Sequence, residues 1–345
     1  MLRLMDANLD RLSEGLRVLE DVSRFILGDA RTTETLKRLR HELTATDSEF
    51  KNKLLIARDS EDDIGRESPV KGTERKHISD LVTANAKRAQ EALRVLEEFA
   101  KLPDMPPQMS ERNFEQARFI LYEIEKGLTL LLSRQEKRDR INGLYVIIDA
   151  EKLTGSNVTE ATQQVVDSGA SVVQFRSKHA NKRDLIAVAG TIKEICNRAD
   201  VLFIMNDHID VALAIDADGV HLGQNDIPVS LAREMLPPNR IIGCSTRTVE
   251  KAIQAQEEGA DYLGVGAIFP SPTKSDAEVI GPEKLREIRD ATALPIVAIG
   301  GIDEGNAREV MENGADCLAV ISAVLDTEDI EAATHRLTAK ISQGE

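Results

Sequence analysis

From residue 143 onward the chain alternates short, β-rich apolar runs with segments of helix length, and it does so eight times. The runs are GLYVIID (143–149), SVVQFRS (171–177), VLFIMND (201–207), GVHLGQ (219–224), RIIGCST (240–246), YLGVGAIF (262–269), PIVAIGG (295–301) and CLAVIS (317–322). None alternates strictly between apolar and polar residues, which is the pattern of parallel strands buried on both faces. Eight β-α units in roughly 200 residues fit a closed (β/α)8 TIM barrel, at the lower end of that fold's size range. A doubly wound open sheet is the alternative, but no GxGxxG follows the first run.

The 345 residues leave room for a second domain. Residues 1–138 are written in helical period, so the expected division is an all-α helical bundle over 1–138 and a barrel over 139–345. Leu9, Leu12, Leu16 and Leu19 form an apolar stripe that Ala86, Ala89, Leu93 and Leu96 repeat. The stretches ANLDRLSEGLRVLED (7–21) and ANAKRAQEALRVLEE (84–98) align at an offset of 77 positions. They predict an internally duplicated bundle, its leucines forming a core or the interface of a homo-oligomer. Packing does not demand the repeated Asn8/Asn85, Arg11/Arg88, Glu14/Glu91, Arg17/Arg94 and Glu20/Glu97. Glu14–Arg17 and Arg17–Glu20 have i, i+3 spacing, so a surface ladder of ion pairs is the plain reading. A polar site for an anionic metabolite, with Arg58, Asp63 and Arg66, is the sharper one. Further long helices are expected around Thr33–Leu55 and Glu111–Leu132, and a polar loop over 58–77.

Charge narrows the class of ligand. The formal net charge is −15, so no global field draws the chain to nucleic acid or to anionic membranes. An anionic ligand must be held by a local cluster of cations, a metal or backbone N–H groups. No apolar run is long enough to span a bilayer and no basic-then-apolar leader opens the chain, so the expectation is a soluble, cytoplasmic protein. Cys196, Cys244 and Cys317 show no metal-type spacing and read as small core residues in a reducing compartment.

In a TIM barrel the chemistry sits at the C-terminal ends of the strands. Here those ends are polar. Gln174, Arg176 and Lys178 alternate along an extended segment and can share a face, a pattern that suits an anion or a rim network of ion pairs. Lys274 adds a cation from the hydroxyl-rich loop holding Ser271, Pro272, Thr273 and Ser275. Asp207 and Asp226 end neighbouring strands and could pair with those cations or hold Mg²⁺, which takes one or two carboxylates and leaves room for phosphate oxygens. No His or Cys cluster argues for zinc. His221, between Val220 and Leu222, reads as a packed side chain. Gly300, Gly301, Ile321 and Ser322 close the seventh and eighth runs, where barrels often bind phosphate with backbone N–H groups and a helix N-terminus. Two anion sites of different kinds suggest transfer between a diphosphate donor and a phosphorylated acceptor.

The segments QFRSK, MND, GVHLGQND, IGCST, PSPTK, AIGGI and VIS, in this order between Gly143 and Ile341, resemble the thiamine phosphate synthase family. The resemblance implies that 4-amino-5-hydroxymethyl-2-methylpyrimidine diphosphate and a thiazole phosphate give thiamine phosphate and pyrophosphate. It implies that Gln174, Arg176, Lys178, Asn206, Ser245 and Lys274 bind the pyrimidine diphosphate, with Arg176, Lys178, Lys274 and Ser245 as the catalytic set. It places Mg²⁺ on Asp207 and Asp226, and the thiazole phosphate on Ser271, Pro272, Thr273, Gly301, Ile321 and Ser322. The family usually has Thr where this chain has Ser271. A related thiazole-isomerising barrel, lacking the diphosphate cluster, and a non-catalytic phosphate-binding barrel are the competing readings. Residues 1–138 resemble a helical domain fused ahead of this enzyme in some bacteria and associated with pyrimidine phosphorylation, although no P-loop or kinase signature occurs there.

Overall fold

A computed structural model describes residues 1–45, 47–59, 75–103, 105, 109–153, 158–271 and 278–342. The chain divides into two compact units, Met1–Ser133 and Arg134–Glu345.

The first unit contains helices α1 (Leu2–Asp21), α2 (Ala30–Thr44), α3 (Ser48–Ala57) and α4 (Ile78–Phe99), and most of α5 (Glu111–Asp139). One long helix over Thr33–Leu55 is not observed. The backbone turns extended at Ala45, and Asp47 then caps α3 by accepting from the Phe50 N–H at 2.7 Å, so a new helix begins where the first would have continued. Both leucine stripes are buried in one aliphatic core. Gly15 allows α1 and α4 to approach closely, because a Cβ there would meet the Asn85 carbonyl oxygen at 2.9 Å and the Ala89 Cβ at 3.2 Å.

The repeated polar residues divide into two groups. The Asn8 and Asn85 amides each donate to the carbonyl one turn earlier, Leu4 and Leu81, both at 2.8 Å. Glu20 and Glu97 are buried, each held by the arginine at i−3 (Arg17, Arg94) and by an arginine of the following long helix, Arg40 on α2 and Arg118 on α5, with Nε–Oε2 distances of 3.0 Å. The duplication therefore extends beyond LRVLE to a helix pair, with Leu36/Phe114, Leu39/Ala117 and Leu43/Leu121 buried in corresponding places. The surface-ladder reading holds for Arg17 and Arg94, which also pair with Asp21 and Glu98, but Glu14 and Glu91 form no ion pair among the described residues. Arg58 is taken up by Asp6 and Asp10 of α1, with Nε–Oδ2 of 2.7 Å to Asp6, while Asp63 and Arg66 lie outside the described residues.

In the second unit eight parallel strands close in sequence order: β1 (Gly143–Asp149), β2 (Val172–Arg176), β3 (Leu202–Asn206), β4 (Gly219–Leu222), β5 (Ile241–Thr246), β6 (Tyr262–Val265), β7 (Ile296–Ile299) and β8 (Cys317–Val320). Helices follow the strands, from α6 (Val158–Asp167) to α14 (Ile330–Ser342). Alternation is present once the ring closes. Tyr145, Ile147, Val172, Leu202, Ile204, Ile241, Tyr262, Val297, Cys317 and Ala319 pack together inside the ring, while Leu144, Val146, Val173, Phe203, Val220 and Leu318 pack outward with the helices. Both faces are apolar because both are buried. Gly243 makes room inside, since a Cβ there would lie 2.1 Å from the Tyr262 ring. All three cysteines are buried and unpaired, and burial lifts Cys196 and Cys244 to about 12 and 11, so neither is a thiolate at neutral pH. Among the described residues no helix is long and apolar enough to cross a membrane.

Asp261, which precedes β6, is buried and accepts from Arg134 Nε (2.7 Å), Arg233 Nη2 (2.5 Å) and the Ile242 N–H (2.8 Å). Removing one partner of such a cluster leaves uncompensated charge in a dry site. Asp261→Ala is expected to lower the unfolding free energy by about 3–5 kcal/mol, read from chemical denaturation with an unchanged m-value.

Candidate active site

The inward positions at the strand ends converge on a cavity of about 930 Å³, large enough for two small ligands together. Gln174, Arg176, Asn206, Asp207, Asp226, Ser245, Ser271, Gly301, Ile321 and Ser322 all line it. Lys178 does not. β2 ends at Arg176, so the alternation that would aim Lys178 inward has stopped two residues earlier; the residue is exposed and its backbone N–H donates to Glu151 at 2.6 Å. Pro272, Thr273 and Lys274 lie outside the described residues.

Around β1–β4 the cavity wall is charged. Arg176 is held by Asp149, its register partner at the end of β1. Asp149 is buried, and burial followed by the neighbouring Glu151 carboxyl raises its pKa, while the Arg176 guanidinium opposes the rise. Asp207 adopts a left-handed backbone (φ 59°), which Asp tolerates better than most residues, and its N–H donates to the His221 carbonyl at 2.9 Å. Asp226 accepts from the Gly223 N–H at 2.7 Å. These backbone bonds from the ends of β3 and β4 bring the two carboxyls together. Although Asp207 opens onto the cavity, loss of solvent and the adjacent Asp226 carboxyl raise its pKa to about 6. Among the described residues neither carboxylate has an ion-pair partner within 4.0 Å. A pair of oxygen donors without a cation between them fits a hard divalent ion such as Mg²⁺.

In a ring of eight strands β7 lies opposite β3. There Gly300 (φ 104°) and Gly301 (φ 63°) turn the chain beneath the loop after β6. A Cβ on Gly300 would sit 2.6 Å from Ala267 Cα, and one on Gly301 2.5 Å from the Pro270 carbonyl oxygen. Asn306 fixes the turn by donating from Nδ2 to the Gly301 carbonyl at 2.8 Å. Ile321 and Ser322 follow β8, but the helix they open, α13 (Ser322–Leu325), has four residues. Its dipole is correspondingly small, so an anion here depends on local N–H groups and hydroxyls.

Sequence reasoning missed Asp149, whose signal was a charged residue ending a run of apolar strand. It also read His221 as simply packed. His221 instead lines the cavity, with Nε2 at 2.9 Å from Ser245 Oγ and Nδ1 at 3.2 Å from Tyr262 Oη. Lys251, Gln224 and Arg247 complete this wall, the Gln224 amide bonding the Ser245 carbonyl.

Comparison with known proteins identifies the architecture. Residues 144–324 match the family model described as thiamine monophosphate synthase, and residues 3–127 match that of the ThiD2 family. The chain is 37% identical to the thiamine-phosphate synthase of Synechocystis sp. over 99% of its own length and 96% of the relative's. It is 38% identical to that of Thermosynechococcus vestitus, over 99% and 95% of the two chains. A solved thiamine phosphate pyrophosphorylase from Pyrococcus furiosus superposes with a TM-score of 0.56 at 42% identity, covering 60% of this chain and 98% of that one. Relatives matched over nearly their whole length and a solved barrel thus agree on the family, and the chain belongs to the thiamine-phosphate synthase family.

Proposed function

We propose that the barrel joins 4-amino-5-hydroxymethyl-2-methylpyrimidine diphosphate to thiazole phosphate, giving thiamine phosphate and pyrophosphate, with Mg²⁺ on Asp207 and Asp226. The observation that carries this reading is that one cavity has two unlike walls on opposite sides. The side with Arg176 and the two carboxylates suits a diphosphate, and the Gly300–Gly301 turn with Ser322 suits a monophosphate. A thiazole-isomerising barrel has no use for the first.

The C–O bond to diphosphate breaks, the pyrimidine ring delocalises the positive charge left on its CH₂, and the thiazole nitrogen forms the new C–N bond. Asp207 and Asp226 would hold Mg²⁺, which would supply Lewis-acid neutralisation of charge on a departing diphosphate. Arg176, oriented by Asp149, meets the same developing charge, and the Lys178 and Lys274 side chains add positive charge to it. Gln174, Asn206 and Ser245 orient the pyrimidine. Ser271, Pro272, Thr273, Gly301, Ile321 and Ser322 hold the acceptor by its phosphate, so much of the rate comes from positioning. No side-chain nucleophile is needed.

Pyrophosphate release by the full chain from pyrimidine diphosphate plus thiazole phosphate, coupled to a colour reaction, tests the assignment; no release with both substrates present would reject it. Gly301→Ala tests the division of the cavity. Its Cβ is both misplaced and in the left-handed region, so KM for thiazole phosphate is expected to rise by roughly tenfold or more while KM for the pyrimidine stays near its original value.

For residues 1–138 the ligands to try are the same pyrimidine phosphates. Product from the monophosphate plus ATP in the full chain, and not in the barrel alone, would assign the phosphorylation step to the helical region. No such product would leave it as an oligomerisation module.

A further inference from the structure

Beneath the cavity five side chains from five strands form one unbroken line of hydrogen bonds. Gln174 Nε2 donates to Tyr145 Oη at 2.9 Å, Tyr145 Oη meets Tyr262 Oη at 3.1 Å, Tyr262 Oη meets His221 Nδ1 at 3.2 Å, and His221 Nε2 meets Ser245 Oγ at 2.9 Å. The two ends, Gln174 and Ser245, open into the cavity. His221, Tyr145 and Tyr262 line it as well, but the two tyrosines are 1% and 0% exposed, so neither phenol has water as an alternative partner. Glycines accommodate the line: a Cβ on Gly243 would strike Tyr262, and one on Gly264 would come 2.7 Å from His221 Cε1.

Each link fixes the next. With Gln174 Nε2 donating to Tyr145 Oη, the Tyr145 O–H has no acceptor but Tyr262 Oη among the described residues, so it points there. Tyr262 then donates to His221 Nδ1, which leaves the imidazole proton on Nε2, directed at Ser245 Oγ. Ser245, having accepted, has its O–H left to donate into the cavity. Gln174, having donated through Nε2, has Oε1 left to accept, and that oxygen has no partner among the described residues. Burial pushes both phenols well above their ordinary range, so they remain neutral links.

We propose that Tyr145, Tyr262 and His221 are positioning residues that set the hydrogen-bond polarity of the pyrimidine site, making Gln174 an acceptor and Ser245 a donor. That polarity complements a ring bearing an amino group and an unprotonated ring nitrogen. It opposes the corresponding oxo ring, whose nitrogen carries hydrogen and whose substituent only accepts. The inference rests on the reading of Gln174 and Ser245 as pyrimidine contacts. A site of fixed polarity rejects the wrong pattern because its buried groups are left unpaired.

The test compares the full chain with Tyr262→Phe and Tyr145→Phe, using the 4-amino pyrimidine diphosphate and its 4-oxo analogue. Either variant interrupts the line while keeping the aromatic ring that lines the cavity. KM for the amino substrate is expected to rise about tenfold, and its advantage over the oxo analogue to shrink by a similar factor. KM for thiazole phosphate should stay unchanged, while the thermal midpoint falls by about a few degrees because each variant leaves a buried partner unpaired. Nitrogen NMR of His221 in the unaltered protein should place the proton on Nε2, a preference lost in Tyr262→Phe. Wild-type KM and selectivity in both variants, or a proton on Nδ1 in the unaltered protein, would overturn the proposal. Should the unaltered protein form no thiamine phosphate, the assigned reaction fails, and the His221 tautomer still decides the polarity of the line.

Discussion

Replacing Asp207 and Asp226 together by alanine abolishes Mg²⁺-dependent formation of thiamine phosphate, with an expected loss of three or more orders of magnitude in turnover. The two carboxyls are the oxygen donors that the ends of β3 and β4 bring together, and loss of the ion removes several kcal/mol of charge stabilisation from a diphosphate leaving group. Folding should not suffer. Asp207 has its pKa raised from 3.8 to about 6, so the folded chain binds a proton there more readily than the unfolded chain does. A raised carboxyl pKa contributes stability at low pH that is lost as pH rises through this range, so at neutral pH the charged pair opposes folding. The double variant should therefore unfold at the same temperature as the parent or slightly above it at pH 7. Normal turnover in that protein would remove the metal assignment, and a collapsed melting temperature would show that the carboxylates act in folding.

Arg176→Ala is expected to lower kcat by roughly 10²–10³, the scale seen when one preorganised donor to a developing negative charge is removed. Lys178→Ala is the informative control. The sequence places both cations on one face, whereas the folded strand ends between them, leaving Arg176 in the cavity wall and Lys178 outside it. Lys178→Ala should lose less than about tenfold, as expected for a charge acting through solvent. Equal losses in the two variants, measured by steady-state kinetics at saturating Mg²⁺, would show that the loop bearing Lys178 folds over the diphosphate during turnover.

These cases separate what is local from what is not. Local patterns make the runs of β-rich residues and the leucine stripes legible, because helix and strand periods are properties of neighbouring residues. Strand ends were legible too, since a barrel puts its polar residues there, and ten of the residues implied by family resemblance do line one cavity. Even so, the expected helix over Thr33–Leu55 stops at Ala45, where the backbone turns extended, and Asp47 caps a second helix.

By itself, then, the sequence determined the barrel, the duplicated helical stretch and the chemical character of the strand ends. The tertiary structure alone decided the partners. Glu20 meets Arg40 and Glu97 meets Arg118 because two helices pack; Arg176 meets Asp149, 27 positions away, because β1 and β2 align in register; Tyr145 meets Tyr262, 117 positions away, because the ring closes. The physical reason is that a buried polar group must find a partner wherever the fold brings one, and that distance is set by packing and register rather than by spacing along the chain. His221 shows the consequence most directly: flanked by valine and leucine it looks like core, and only the closed barrel places its ring between Tyr262 and Ser245.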